Sequence, residues 1–245
     1  MYEDVEHMTK LITSKTQDRV TTLSIDRPDK GNRITNEMAT ALGEAIDEAG
    51  RTGSKLIILR GAGDVFCLGR DMQPDGEQGV ATDIRAHNTE PALRLFAKFQ
   101  VCPATIVGVV QGKAVGMGCA IAGLCDITVS AENAEYQIPE MGRDLPPTIV
   151  MWALADRMPR KAIAYMVYSR DPIDAATALS FGLISRIVPE KDLETEVHLL
   201  ISKLSKNSIA ALNAVKAYMR SAPQMDRQGA SDYSSNLLAN VLASR

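Results

Sequence analysis

Two features of the 245-residue sequence could do chemistry together. One is Gly116-Met117-Gly118, which stands between an apolar β-branched run, Thr105 to Val110, and a run of small residues ending at Asp126. The other is Glu140, which follows Pro139 beyond a second strand pattern, Ile127 to Val129. The order is strand, glycine-rich turn, helix start, strand, carboxylate. Glycines just ahead of a helix leave backbone N–H groups accessible to a ligand, and such a helix start favours negative charge. A carboxylate returned beside it could then move protons. On the residues alone, the glycine pair also fits a tightly packed turn, and Glu140 also fits a solvated acid.

The surrounding pattern supplies the elements that must hold these groups. Leu11 to Thr13 and Val20 to Ile25 are β-rich runs that the four residues Thr16 to Arg19 could join as a hairpin. Arg27-Pro28-Asp29-Lys30-Gly31-Asn32 is a turn-rich basic loop. Met38, Ala41, Leu42, Ala45, Ile46 and Ala49 repeat at helical spacing behind Thr35, an N-cap residue type. Leu56 to Leu59 is a buried strand pattern. Gln73 to Asn88 is polar and glycine-bearing and is expected to be a loop. Pro91 to Val101 carries Leu93, Leu95, Phe96 and Phe99 on one side of a helix. Further helices are expected over Ile149 to Ala155, Lys161 to Tyr168 and Asp174 to Phe181, the last ended by Gly182 and followed by a short apolar strand. From Asp192 the chain reads as helices over Leu193 to Leu204, Ser208 to Met219 and Gln228 to Leu242, with Pro223 separating the last two.

Composition narrows the classes. With 45% apolar residues the chain can bury a substantial core as one large domain, or as one domain with a small appendage. A net charge of −3 gives no electrostatic case for nucleic acid or an anionic membrane. The four cysteines, Cys67, Cys102, Cys119 and Cys125, form no C-x-x-C pair, so no metal is expected and reduced, buried thiols of a cytoplasmic protein are. The acidic start MYEDVEHM does not read as a signal peptide. No apolar run is long enough to span a membrane. His87 is a lone loop histidine, and no Ser/His/Asp arrangement can be built around it.

The stretch Pro103-Ala-Thr-Ile-Val-Gly-Val-Val-Gln-Gly112-Lys-Ala114-Val-Gly116-Met-Gly118-Cys-Ala120-Ile-Ala122-Gly-Leu-Cys125-Asp126 resembles the core of the crotonase (enoyl-CoA hydratase/isomerase) superfamily, P-x-I-A-A-V-x-G-x-A-x-G-G-G-x-E-L-A-x-x-C-D. Gly61 to Met72 resembles that family's G-x-G-x-A-F-C-A-G-A-D-L. Arg27 to Ile34 resembles its R-P-x-x-x-N-A-L loop, and Asp174 to Pro189 its A-x-x-x-G-L-V-x-x-V-V-P segment. The resemblance implies an α/β fold: a crotonase-like ββα spiral core over residues 1–190 carrying the CoA and acyl site, and a C-terminal α-helical trimerisation region over 191–245, with trimers often paired into hexamers. It implies an acyl-CoA thioester as substrate and no cofactor. Its thioester oxygen would take hydrogen bonds from the backbone N–H groups of Arg70 and Met117. Lys30 and Arg33 would lie at the nucleotide end of CoA, and Gly69, Asp71, Met72, Gly116, Gly118 and Ala120 would line the ligand. Glu140 would carry the proton.

Three departures shape the expectation. Met117 stands where the family has its middle glycine, which leaves the N–H donor in place. Arg70 fills a position that is usually small; its side chain could reach a CoA phosphate, a polar acyl group or solvent. Ala120 replaces a frequent catalytic glutamate, so concerted water addition by two carboxylates loses one partner. Asp144, four residues after Glu140, is a second acid that also fits ordinary turn chemistry before Leu-Pro-Pro. Double-bond isomerisation by one base, thioester or β-diketone C–C hydrolysis on the same scaffold, and a non-catalytic CoA- or partner-binding homologue all remain open on sequence. The family's final basic-aromatic tail has no counterpart before Arg245, so its CoA contacts are not carried over.

Overall fold

The computed structural model describes residues 11–71 and 80–244. β1 (Ile12–Gln17) and β2 (Val20–Ile25) pair antiparallel in the register Gln17↔Val20. The turn between them is therefore two residues, Asp18 and Arg19, both at positive φ (51° and 63°), and not the four-residue connection expected. Two left-handed residues in succession match the twist of the flanking strands. β2 then continues a parallel series through β3 (Leu56–Gly61), β4 (Thr105–Val110), β6 (Ile127–Ala131) and β9 (Arg186–Val188), giving a six-stranded sheet in the order β1-β2-β3-β4-β6-β9. A smaller sheet has the order β5-β7-β8, from β5 (Lys113–Val115), β7 (Glu135–Gln137) and β8 (Ile173–Asp174).

Both faces of the large sheet are covered, which is why β4 is an unbroken apolar run with all six residues buried. Successive residues divide between two cores, as a strand's alternation requires. Ile57, Leu59, Ile106 and Val110 join the main cluster, whereas Leu56, Ile58, Val107 and Val109 join a second one behind the sheet. The main cluster is closed by α1 (Asn36–Arg51), which buries Met38, Leu42 and Ile46 and is capped by Thr35, whose side chain accepts from the Met38 N–H.

The expected loop over 73–88 lies partly outside the described residues. From Ala81 it is helical: α2 (Ala81–Ile84) widens into a π-helical turn, Arg85–Thr89, and runs directly into α3 (Glu90–Val101). The polar composition that suggested a loop is that of a short helix burying none of its residues. α4 (Met117–Leu124) is buried at every position. α5 (Thr148–Leu154), α6 (Arg160–Ser169) and α7 (Ala175–Ser180) follow.

After β9, the C-terminal part is helical as expected: α8 (Leu193–Ser205), α9 (Ile209–Ser221) and α10 (Arg227–Ala243). Ser208 caps α9 by accepting from the Ala211 N–H, and the turn Ala222–Gln224 holding Pro223 separates α9 from α10. Within the region 191–245, expected from the resemblance to serve trimerisation, Leu193 and Val197, flanked by Leu200 and Leu204, pack on the back of this chain's own sheet. α10 buries none of its residues. No helix among the described residues is long and apolar enough to cross a membrane.

Candidate active site

Three backbone segments converge at one end of the parallel strands. The loop after β2 is fixed by Asn32, a buried side chain that accepts from the Arg27 N–H and donates to the carbonyls of Ala62 and Val65. The segment after β3 then runs beside this loop. Leu68 N–H donates to Gly31 O, Ile34 N–H to Gly69 O, and Asp71 N–H to Ile34 O, each at 2.9 Å. On its other side the same segment is held to β5, with Cys67 N–H donating to Lys113 O (3.1 Å) and Val115 N–H to Cys67 O (2.9 Å).

This double pairing aims the Arg70 amide. No peptide bond in the described chain is cis, so the Arg70 N–H points opposite to the Gly69 carbonyl. That carbonyl faces Ile34, and the Arg70 N–H is directed away from it. Met117 is the first residue of α4, where an amide has no intrahelical acceptor. The Gly116 carbonyl accepts from Ala120 N–H (3.0 Å) along the helix, so the Met117 N–H points out of the helix start. The two amides are neighbours: a Cβ added to Gly69 would lie 3.7 Å from the Met117 nitrogen.

That closeness depends on glycine. A Cβ on Gly118 would fall 2.2 Å from the Cys67 carbonyl oxygen, so any side chain there would push α4 off the Cys67–Gly69 segment. Gly116 holds φ +53° and ψ −115°, the mirror image of extended backbone, and turns the chain from β5 into α4. The Met117 side chain, in place of a third glycine, is buried in the main core.

The parallel pairing of β5 with β7 delivers Glu140. Val115 is in register with Gln137, and Gly116 N–H donates to Gln137 O at 2.8 Å. Buried Ile138 and Pro139 follow, and Glu140 opens a 3₁₀ turn, Glu140–Arg143. Its carboxylate lies against Gly116: a Cβ there would be 2.4 Å from Oε1. Oε2 is shielded from solvent and accepts no hydrogen bond among the described residues. Burial raises the Glu140 carboxyl above the ordinary glutamate range, against a smaller lowering from its own backbone amide and from Arg143. Cys119, on the first turn of α4, is pushed up by burial and further by the nearby Glu140 charge. Cys67 is pushed up to about 12, by burial above all. Neither thiol is a nucleophile at neutral pH.

The other residues singled out on sequence are placed differently. Gly69, Gly116, Gly118 and Ala120 are at the convergence, with Ala120 wholly buried on α4, where it leaves no carboxylate on the helix. Lys30 and Arg33 are exposed beside it; Arg33 donates to Leu68 O at 2.9 Å, and Asp71 pairs with Arg27 at 2.5 Å. Met72 lies outside the described residues. Asp144 is an exposed turn residue at φ +56° whose N–H closes the 3₁₀ turn. Sequence reasoning passed over Asn36. Its Oδ1 accepts from Arg70 Nη2 (3.0 Å) and its Nδ2 donates to His87 O (2.6 Å), which ties the Arg70 side chain to the π-helical turn. At the first position of α1, Asn36 reads as an ordinary helix-start residue and gives no signal of that role.

The sequence profile of the Enoyl-CoA hydratase/isomerase family matches residues 15–244. A 2,3-dehydroadipyl-CoA hydratase of Escherichia coli (strain K12) is 31% identical over 224 residues, covering 90% of this chain and 86% of the relative. The crystal structure of human enoyl-CoA hydratase domain-containing protein 3 superposes with a TM-score of 0.89 at 25% identity, covering 95% of this chain and 92% of that one. An enoyl-CoA hydratase from Mycobacterium smegmatis shares the fold at a TM-score of 0.87 and 24% identity, covering 95% and 91% of the two chains. The chain belongs to the enoyl-CoA hydratase/isomerase family of enzymes and has the crotonase fold.

If the Met117 amide is a donor to the substrate, Met117→Pro removes it while suiting a first helical position. The variant should keep its far-UV circular dichroism and lose about 10²–10³ in kcat. A folded variant with unchanged kcat would place the reacting oxygen elsewhere.

Proposed function

We propose that the protein binds an acyl-CoA thioester and moves a proton at C2 of the acyl group, with Glu140 as the single general base. The thioester oxygen accepts from the Arg70 and Met117 N–H groups, which hold the negative charge of the enolate as it develops. Glu140 removes the C2 proton and returns it at another carbon, a shift of the double bond. Lys30 and Arg33 lie at the nucleotide end of CoA. The single observation that carries this reading is the Glu140 carboxylate, set against the glycine that precedes the Met117 donor, with Oε2 sealed and unpartnered among the described residues. A base whose burial raises its pKa is a stronger base towards carbon once it is ionised. With Ala120 in place of a second acid, proton transfer is favoured over concerted water addition.

The same reading includes self-association into trimers. α10 leaves Leu238 and Leu242 exposed, and α5 and α6 border an open apolar groove of about 710 Å³ that shows Met151, Trp152 and Tyr168. Both are exposed apolar surface of the kind a neighbouring subunit covers. Light scattering at micromolar concentration should give a trimer or a multiple of it; a monomer refutes this part.

Glu140→Gln keeps the shape and removes the base. Its kcat on an isomerisable enoyl-CoA should fall by about 10²–10⁴ with CoA affinity nearly unchanged, whereas Asp144→Asn should change little. In the wild type, kcat/KM should rise with pH through an apparent pKa above the ordinary glutamate range, because the base must be ionised. Stability runs the other way. A carboxyl raised in the folded state contributes most below its unfolded pKa, and that contribution is lost as pH rises through the folded pKa. The Tm of Glu140→Gln relative to wild type should therefore be higher at pH 7 than at pH 4. A silent Glu140→Gln beside an inactive Asp144→Asn would move the base one turn along the chain.

A further inference from the structure

At the far end of β4 from Glu140, the chain forms a second, polar cleft of about 340 Å³. It lies between the end of α3, the link from α5 to α6, and α9. Its floor is Lys216, a buried lysine on α9 whose Nζ is 2.7 Å from Asp126 Oδ2 and donates to Ala104 O at 2.8 Å. Asp126 is satisfied in turn, since the same Oδ2 also accepts from the Ile106 N–H at 2.8 Å. The walls carry two further cations. Arg220 donates to Gln100 O at 3.3 Å. Arg157 is half-buried, and no acceptor or carboxylate among the described residues meets its guanidinium. Asp156, exposed at the mouth, is the other anion.

With Lys216 and Asp126 neutralising each other, the cleft is left with two arginines and one exposed carboxylate in its lining. A guanidinium held partly out of water without an acceptor is unfavourable unless something supplies one. Two planar donor forks around a space of this size suit the oxyanion of a phosphate group, which can accept from both in parallel pairs. Nothing in the acyl-CoA reading uses these residues, and α4 and the whole depth of β4 separate them from Gly116.

We propose that this cleft is a second ligand site, which binds a small phosphate-bearing anion between Arg157 and Arg220. The lysine–aspartate pair beneath it keeps the floor rigid and adds no net charge, so recognition falls to the two arginines.

The test is a titration of the full chain with inorganic phosphate at constant ionic strength, balanced with potassium chloride, following Tm and the heat of binding. The wild type should show saturable binding. Arg157→Gln and Arg220→Gln, both at positions outside the packed core, should each weaken the apparent Kd by about tenfold or more, the loss of a charge-assisted hydrogen bond. Lys30→Ala should leave phosphate binding unchanged, and both glutamine variants should retain wild-type CoA affinity. No saturable binding to the wild type overturns the proposal. So does binding that survives both glutamine variants, and so does binding abolished by Lys30→Ala, which would put the ion at the CoA loop. Malonate binding as tightly as phosphate would overturn the phosphate assignment. Failure of the Glu140 reading shows in enoyl-CoA turnover and leaves these outcomes untouched.

Discussion

The structure depends on one close approach of backbone to backbone. The Cys67–Gly69 segment lies so near the start of α4 that Gly118 has no room for a methyl group. That approach brings the amides of Arg70 and Met117 together, and most of the nearby architecture maintains it. Asn32 locks the loop on one side, and the β5 ladder holds the other. The apolar strand β4 and the wholly buried α4 form a rigid backing. Two amides fixed in this way lose little reorganisation energy when charge develops opposite them, which is where preorganised donors gain their strength.

The same turn governs the acid. Gly116 donates to the carbonyl of Gln137, and the chain from there to Glu140 is only three residues long. The pairing of two three-residue strands therefore sets the distance between the Glu140 carboxylate and the start of α4. The carboxylate is destabilised by this placement: half-buried, with one oxygen shielded and unpartnered among the described residues and a raised pKa. On the proposed mechanism, that local loss of stability is what makes Glu140 a stronger base.

Much of this was legible in the sequence, for identifiable reasons. Thr35 and Ser208 cap helices as their side chains dictate, β4 is an unbroken run because both its faces are buried, and Gly116, Gly118 and Glu140 converge. The illegible parts share a cause. β5, β7 and β8 have two or three residues each, too few to show a period, yet β5 and β7 carry the pairing that positions Glu140. Residues 81–89 are helical without an apolar face, so no periodicity marked them. The leucines of α8 do show a helical stripe, but a stripe says that a face is covered and not by what; here the cover is the chain's own sheet. The Arg70–Asn36–His87 link is a side-chain contact between distant segments, for which a single sequence carries no sign.

On the proposed mechanism, Glu140 and the two amides form an enolate from a bound thioester. That step is tested most directly by incubating the protein with a saturated acyl-CoA, such as butyryl-CoA, in deuterium oxide and following the C2 protons by proton NMR. No double bond has to move and no water has to add, so the experiment reads proton removal at C2 alone. Enzyme-dependent replacement of C2 hydrogen by deuterium is expected, faster as pH rises through the Glu140 pKa. Butyryl-CoA that binds, as shown by saturation transfer, yet keeps its C2 protons over many hours would contradict it.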